Sequence, residues 1–185
     1  MLTLFHDVTD PASAVAVARY GRLAADGLPI MFEGFEAVGV DADLPVDLAM
    51  LAGLADVWEV ARDEGVVLHR PPRKPPTGLA HVLLAYAEAT PQAMALRREL
   101  YQAYWAVGSD IGQPDVLTDI AVRAGLPGVE VRSMLADRTA LATRRRQMSR
   151  HRKQGVGGVP VVLASRTLIP ALIDEAQIRE LALAV

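Results

Sequence analysis

Asp10-Pro11-Ala12-Ser13 stands where a short apolar run gives way to a helical pattern, and it holds the chain's best-placed polar pair. Asp10 suits the N-cap, and Pro11 suits the first helical position, where its missing N–H costs nothing. A helix start carries about half a positive charge and several unpaired N–H groups, so it stabilises an adjacent anion. The Asp10 carboxylate can accept the backbone amide of residue 12 or 13, a cap worth about 1 kcal/mol. A simple N-cap is the plain reading of Asp10; a general base, or a ligand for a substrate hydroxyl or ammonium, is the other. Ser13 lies one turn in, a place where serine is common without function. No Ser-His-Asp arrangement is visible from spacing, so covalent serine catalysis is not supported.

Other candidates are weaker. His6 ends the apolar run before the turn and reads as a packing residue more readily than as an acid or base. His81 reads as locally bonded, and without His or carboxylate pairs at ligand spacing no metal site is expected. Arg144-Arg145-Arg146, Arg150 and His151-Arg152-Lys153 precede Gly155, so they fall in the last turns of a helix, where cations oppose the macrodipole. A solvated helix end is the plain reading of that cluster; an anionic ligand or acidic partner is the other. Trp58, Tyr101, Tyr104 and Trp105 keep helical spacing and are expected in the core or at a domain interface.

The elements that must position these groups follow from periodicity. Leu2 to Val8 reads as a buried strand, Pro11 to Asp26 as a helix with Arg19, Arg22 and Asp26 on one solvent stripe, and Leu28 to Phe35 as a second strand. So short a β-α-β unit implies a parallel pair with a right-handed crossover. Pro45 to Glu64 predicts another helix. Arg70-Pro71-Pro72-Arg73-Lys74-Pro75-Pro76-Thr77 is too rich in breakers for helix or inner strand and marks a junction. Beyond it, to about residue 153, only helix signals occur, with Leu79, Val82, Leu83 and Tyr86 at i, i+3, i+4, i+7. Val161-Val162-Leu163 and Thr167-Leu168-Ile169 then suit a hairpin, and a last helix carries Ile178, Leu181, Ala182 and Val185 on one face.

Composition removes whole classes of function. With 185 residues the chain can bury roughly 70% of its unfolded surface and needs no disulfide or metal to fold. It contains no cysteine, which excludes dithiol redox chemistry, thiol nucleophiles and Cys-ligated metals. A net charge of −3 and a pI of about 5.8 argue against nucleic acid as a partner. No apolar run is long enough to span a membrane, and Met1-Leu2-Thr3-Leu4-Phe5 lacks the basic flank of a signal peptide. A cytoplasmic, helix-rich protein without membrane partners is expected.

Five pieces in order resemble the DsbA-like thioredoxin family, in the branch holding FrnE-type oxidoreductases, 2-hydroxychromene-2-carboxylate isomerases and kappa-class glutathione transferases. Phe5-His6-Asp7-Val8 with Asp10-Pro11-Ala12-Ser13 looks like that family's Asp-x-x-Cys-Pro-Trp-Cys region, and Pro75-Pro76-Thr77 with Ala80-His81 and Ala87 like its segment before the helical insertion. Ala103-Tyr104-Trp105, Gly108, Asp110-Ile111, Val116-Leu117 and Gly125-Leu126 are similar to the insertion itself. Gly155-Val156-Gly157-Gly158-Val159-Pro160-Val161 fits the Gly-Val-x-Gly-Val-Pro signature, and Leu168-Ile169-Pro170-Ala171 the Ile-x-Gly-Ala position. The resemblance implies an α/β thioredoxin-like fold, residues 1–70 and 154–185, with an all-helical domain, 71–153, inserted between its βαβ and ββα halves. It also implies a cis Val159–Pro160 bond beside the first helix, leaving the Val159 N–H and C=O open to an extended peptide or to glutathione.

The departures fall at the chemistry, because Asp10 and Ser13 stand where family oxidoreductases have cysteine and the isomerase and transferase branches usually have serine at the first position. The leading expectation is a DsbA-family protein whose groove between Asp10, Pro11, Ser13, Val159 and Pro160 binds a small thiol or peptide without redox turnover. A glutathione-dependent isomerase or transferase using Ser13 or Asp10 is the enzymatic alternative, with Ser13 bonding a ligand thiol or enolate as the family's serine does. A non-catalytic scaffold, homodimeric through the insertion, is the third. No cofactor is expected apart from glutathione.

Overall fold

The computed structural model describes residues 1–184. β1 (Leu2–His6) leads through a turn into α1 (Pro11–Ala25) and back to β2 (Ile30–Gly34). The helical stretch follows as α2 (Leu48–Asp63), α3 (Gly78–Ala87), α4 (Ala93–Gln102), α5 (Pro114–Arg123), α6 (Gly128–Ala136) and α7 (Arg138–Lys153). One π-helical turn, Ala103–Val107, extends α4. β3 (Val161–Ala164), β4 (Thr167–Pro170) and α8 (Glu175–Leu183) complete the order; Val185, expected on the face of the last helix, lies outside the described residues.

The strands form one sheet in the order β2-β1-β3-β4. β1 and β2 run parallel with His6 opposite Gly34, and β3 is antiparallel to β1 with Val161 opposite Phe5. The C-terminal end of β1 and the N-terminal end of β3 therefore lie side by side. One apolar core joins the sheet to the helical stretch: Leu4, Val15 and Tyr20 pack in the same cluster as Leu83, Leu100 and Trp105. A second cluster of Phe5, Phe35, Met148 and Val156 sits beneath α7 and β3.

Several expectations are corrected by packing. β1 stops at His6 because Asp7 already turns, its carbonyl accepting the Asp10 amide at 3.2 Å. α2 starts three residues later than Pro45, where the Asp47 carboxylate caps Met50 N–H at 2.8 Å. Arg19 does not face solvent; it donates to Glu64 at 2.7 Å and to the Ile173 carbonyl at 2.6 Å. Trp58 is 56% exposed, because α2 turns Met50, Leu54, Val57 and Ala61 inward and leaves Trp58 on the outer face.

The basic cluster of α7 is not simply a solvated end. Arg144 is buried, donates to the Gly34 carbonyl at 2.6 Å and pairs with Glu33 at 2.8 Å. Arg145 bridges Glu36 and Asp41, and Arg152 lies 4.6 Å over the Phe35 ring. Carboxylates of β2 and the following loop are thus the acidic partner, and the cluster docks α7 onto the sheet edge. Arg146, Arg150 and Lys153 remain exposed.

Candidate ligand site at the start of the first helix

The turn from β1 to α1 is held by its own backbone and by side chains from far along the chain. The Trp105 indole N–H donates to the Val8 carbonyl at 2.8 Å, and the Tyr101 hydroxyl donates to the Asp7 carbonyl at 3.1 Å. That hydroxyl hydrogen being engaged, the 2.9 Å bond between Tyr101 and His6 Nδ1 is donated by the imidazole. His6 is buried, and burial, followed by the charge of Arg97, pushes its pKa well below the ordinary value. It is a neutral, bonded packing group, as the sequence suggests.

Asp7 lies at the centre. It is 1% exposed; one oxygen bonds His81 Nε2 at 3.1 Å and the other accepts the Ala37 amide at 2.7 Å. Burial pushes its carboxyl up, but the His81 bond and charge, the Ala37 N–H and the Thr77 hydroxyl outweigh that and hold it below the usual carboxylate range. The expectation that His81 bonds locally is therefore corrected: it reaches from α3 to the end of β1. Sequence reasoning assigned Asp7 no role. The signal was present in the aspartate that opens the Asp-x-x-Cys-like motif.

Asp10 caps α1, its carboxylate accepting the Ser13 amide at 2.6 Å. It is half-buried, and burial raises its carboxyl to about 6. The Ser13 hydroxyl and amide and the charge of Lys74 oppose the rise, while the charge of Asp7 adds to it. Ser13 is fully buried, and its Oγ accepts the Asp7 amide at 3.2 Å. Pro11 is buried as well; a Cβ on Gly53 of α2 would come within 3.4 Å of its ring. Asp10 is the one member of this trio with exposed surface.

Immediately before β3 the Val159–Pro160 peptide bond is cis, and the Pro160 carbonyl accepts the Ala171 amide at 3.2 Å. Val159 and Pro160 are both half-buried. Among the described residues, the Val159 N–H and C=O have no hydrogen-bond partner. By the β1–β3 register this link stands at the sheet end from which the Asp7–Asp10 turn emerges. Asp10 and Ser13 are in direct contact; Val159–Pro160 shares their end of the sheet.

Residues 5–183 match the model of the DSBA-like thioredoxin domain, and the chain belongs to that family. A probable DsbA oxidoreductase from Streptomyces coelicolor superposes with a TM-score of 0.84 at 27% identity, over 99% of this chain and 88% of that one. A 2-hydroxychromene-2-carboxylate isomerase gives 0.81 at 21% identity, over 99% and 94%. The cytosolic disulfide reductase DsbM from Pseudomonas aeruginosa, solved with glutathione, gives 0.64 at 16% identity, over 99% and 96%. No curated protein matches the chain. The fold is thus the thioredoxin-like α/β arrangement of the DsbA family, carried by a chain without cysteine. Among the described residues no helix is long and apolar enough to cross a membrane.

Proposed function

We propose that the start of α1 and the Val159–Pro160 link bind a small thiol or an extended peptide, with glutathione the first candidate, and that no disulfide exchange follows. The observation that carries this is the coincidence, at one sheet end, of a half-buried Asp10 carboxylate and an unpaired Val159 amide and carbonyl. Val159 can add a strand-like pair of hydrogen bonds to a peptide backbone. Asp10 offers the thiol or the ligand amine an acceptor. The glutathione-bound structure of DsbM supports this choice of ligand, and a reduced cytoplasm would keep it as the thiol. Calorimetric titration with reduced glutathione tests it. Saturable heat, weakened about tenfold or more by Asp10→Ala, is expected; no heat at millimolar ligand would remove the proposal.

A second function, glutathione-dependent isomerisation, is favoured by one further observation. The Asp10 carboxyl titrates at about 6, close to the pH at which a general acid–base works best. Ser13, enclosed beneath it, would then orient Asp10 and not touch substrate. Turnover with a pH limb near 6 that disappears in Asp10→Asn would establish catalysis; binding without turnover would leave the binding function alone.

A further inference from the structure

A cavity of about 620 Å³ lies between α1 and α4, and neither Asp10 nor Val159–Pro160 lines it. Its volume is in the range that holds small organic ligands, roughly 300–1,000 Å³. α1 contributes Ala14, Val17, Ala18, Gly21 and Arg22, and its small residues Ala14, Ala18 and Gly21, spaced i, i+4, i+7, leave the gap to α4 open along one stripe. Met94 reaches across, its Cε standing 2.8 Å from where a Gly21 Cβ would be, and narrows one end.

Tyr101 and Trp105 also line the cavity, and both have their polar atoms engaged by the β1–α1 turn. Both rings are buried and form the floor of the cavity rather than an open face. The polar groups at the edge are unequal. Arg22 and Glu64 neutralise one another at 2.6 Å. Arg98 is exposed and has no acidic partner among the described residues; its neighbour Glu99 pairs with Arg123 at 3.5 Å. An apolar chamber with one uncompensated guanidinium at its edge matches an apolar body carrying one carboxylate.

We propose that this cavity is a second ligand site, taking a small amphipathic carboxylate whose chain lies against Ala18 and Ala95, above the buried Trp105, and whose carboxylate meets Arg98. The site is independent of the Asp10 groove, so either can fail without the other.

Decanoate, with decanol as its uncharged counterpart, tests the site directly. The chain has two tryptophans, so Trp58→Phe leaves Trp105 as the only indole reporter. Decanoate should change Trp105 emission saturably and raise the thermal midpoint. Arg98→Gln should weaken decanoate about tenfold and leave decanol binding unchanged. Ala18→Phe, or Ala18→Leu should the phenylalanine variant fail to fold, should abolish both ligands while circular dichroism stays native and glutathione binding is unaltered. Absence of any decanoate response overturns the proposal, as does undiminished binding in a folded Ala18 variant. Equal loss of decanol and decanoate in Arg98→Gln overturns the carboxylate assignment.

Discussion

Asp7 and His81 are 74 residues apart in sequence and joined by a 3.1 Å hydrogen bond inside the protein. The bond ties the end of β1 to α3 and so fixes the turn from which α1 starts. It also sets the electrostatics of that turn, because the ionised Asp7 is one reason the neighbouring Asp10 carboxyl is raised.

Removing Asp7 should therefore act at two levels. Asp7→Ala leaves the buried His81 Nε2 and the Ala37 amide without their acceptor, a loss expected to destabilise the fold by about 3–5 kcal/mol. Urea unfolding measures this. Asp7→Asn keeps the shape and deletes the charge, so the Asp10 pKa should fall from about 6. An NMR titration of the Asp10 carboxyl carbon would follow it, and an unchanged midpoint would disprove the coupling.

Gly34 is the second support of the same bond. A Cβ there would collide with His81 Nδ1 and stand 3.0 Å from Cγ, with no flexible tip to yield. Gly34→Ala must push the imidazole aside and unpair Asp7. The expected destabilisation is several kcal/mol, roughly that of breaking a buried pair, and a variant with native urea stability would contradict the placement of His81.

How much of this was legible in the sequence depends on the range of the interaction. The Asp10-Pro11 helix start, the alternation of elements and the inward Tyr104 and Trp105 follow from local propensity and periodicity, and all are found. Trp58 and Arg144 exchange their expected places because helical spacing alone does not say which face turns inward. The π-helical turn at Ala103–Val107 carries no local signal, and although Asp7 stands in a recognisable motif, its choice of His81 as partner is made by the whole fold. At the site, the short contact from Asp10 to Ser13 was readable as a cap. The engagement of the Ser13 hydroxyl by the Asp7 amide was not.

His6 should make the acid limb of stability steeper. Its folded pKa lies well below 6.5, so the native state keeps it neutral while the unfolded chain takes up a proton below that pH. Its contribution is complete above pH 6.5 and is lost as pH falls from there toward the folded value, by up to about 1.4 kcal/mol per pH unit. His6→Gln should flatten that limb relative to the parent in urea unfolding between pH 6.5 and 5. Parallel profiles would mean the imidazole takes up its proton alike in the folded and unfolded chain, against its burial as a neutral group.

Asp10 has the opposite sign. Its carboxyl is raised in the fold to about 6 from an ordinary 3.8, so between those values the native state binds the proton more tightly than the unfolded chain. Stability must therefore fall as pH rises through that window, leaving the ionised Asp10 a net burden at neutral pH on the order of 3 kcal/mol. Asp10→Asn removes the charge and keeps an N-cap that still accepts the Ser13 amide, since asparagine caps about as well as aspartate. The variant should exceed the parent in thermal midpoint at pH 7.5, and the two should converge near pH 4. A binding or acid–base role would account for a carboxylate placed at such a disadvantage. If the variant is instead less stable at pH 7.5 and the gap closes on acidification, the carboxylate is a stabilising cap with a depressed pKa. Its claim to chemistry would then be withdrawn.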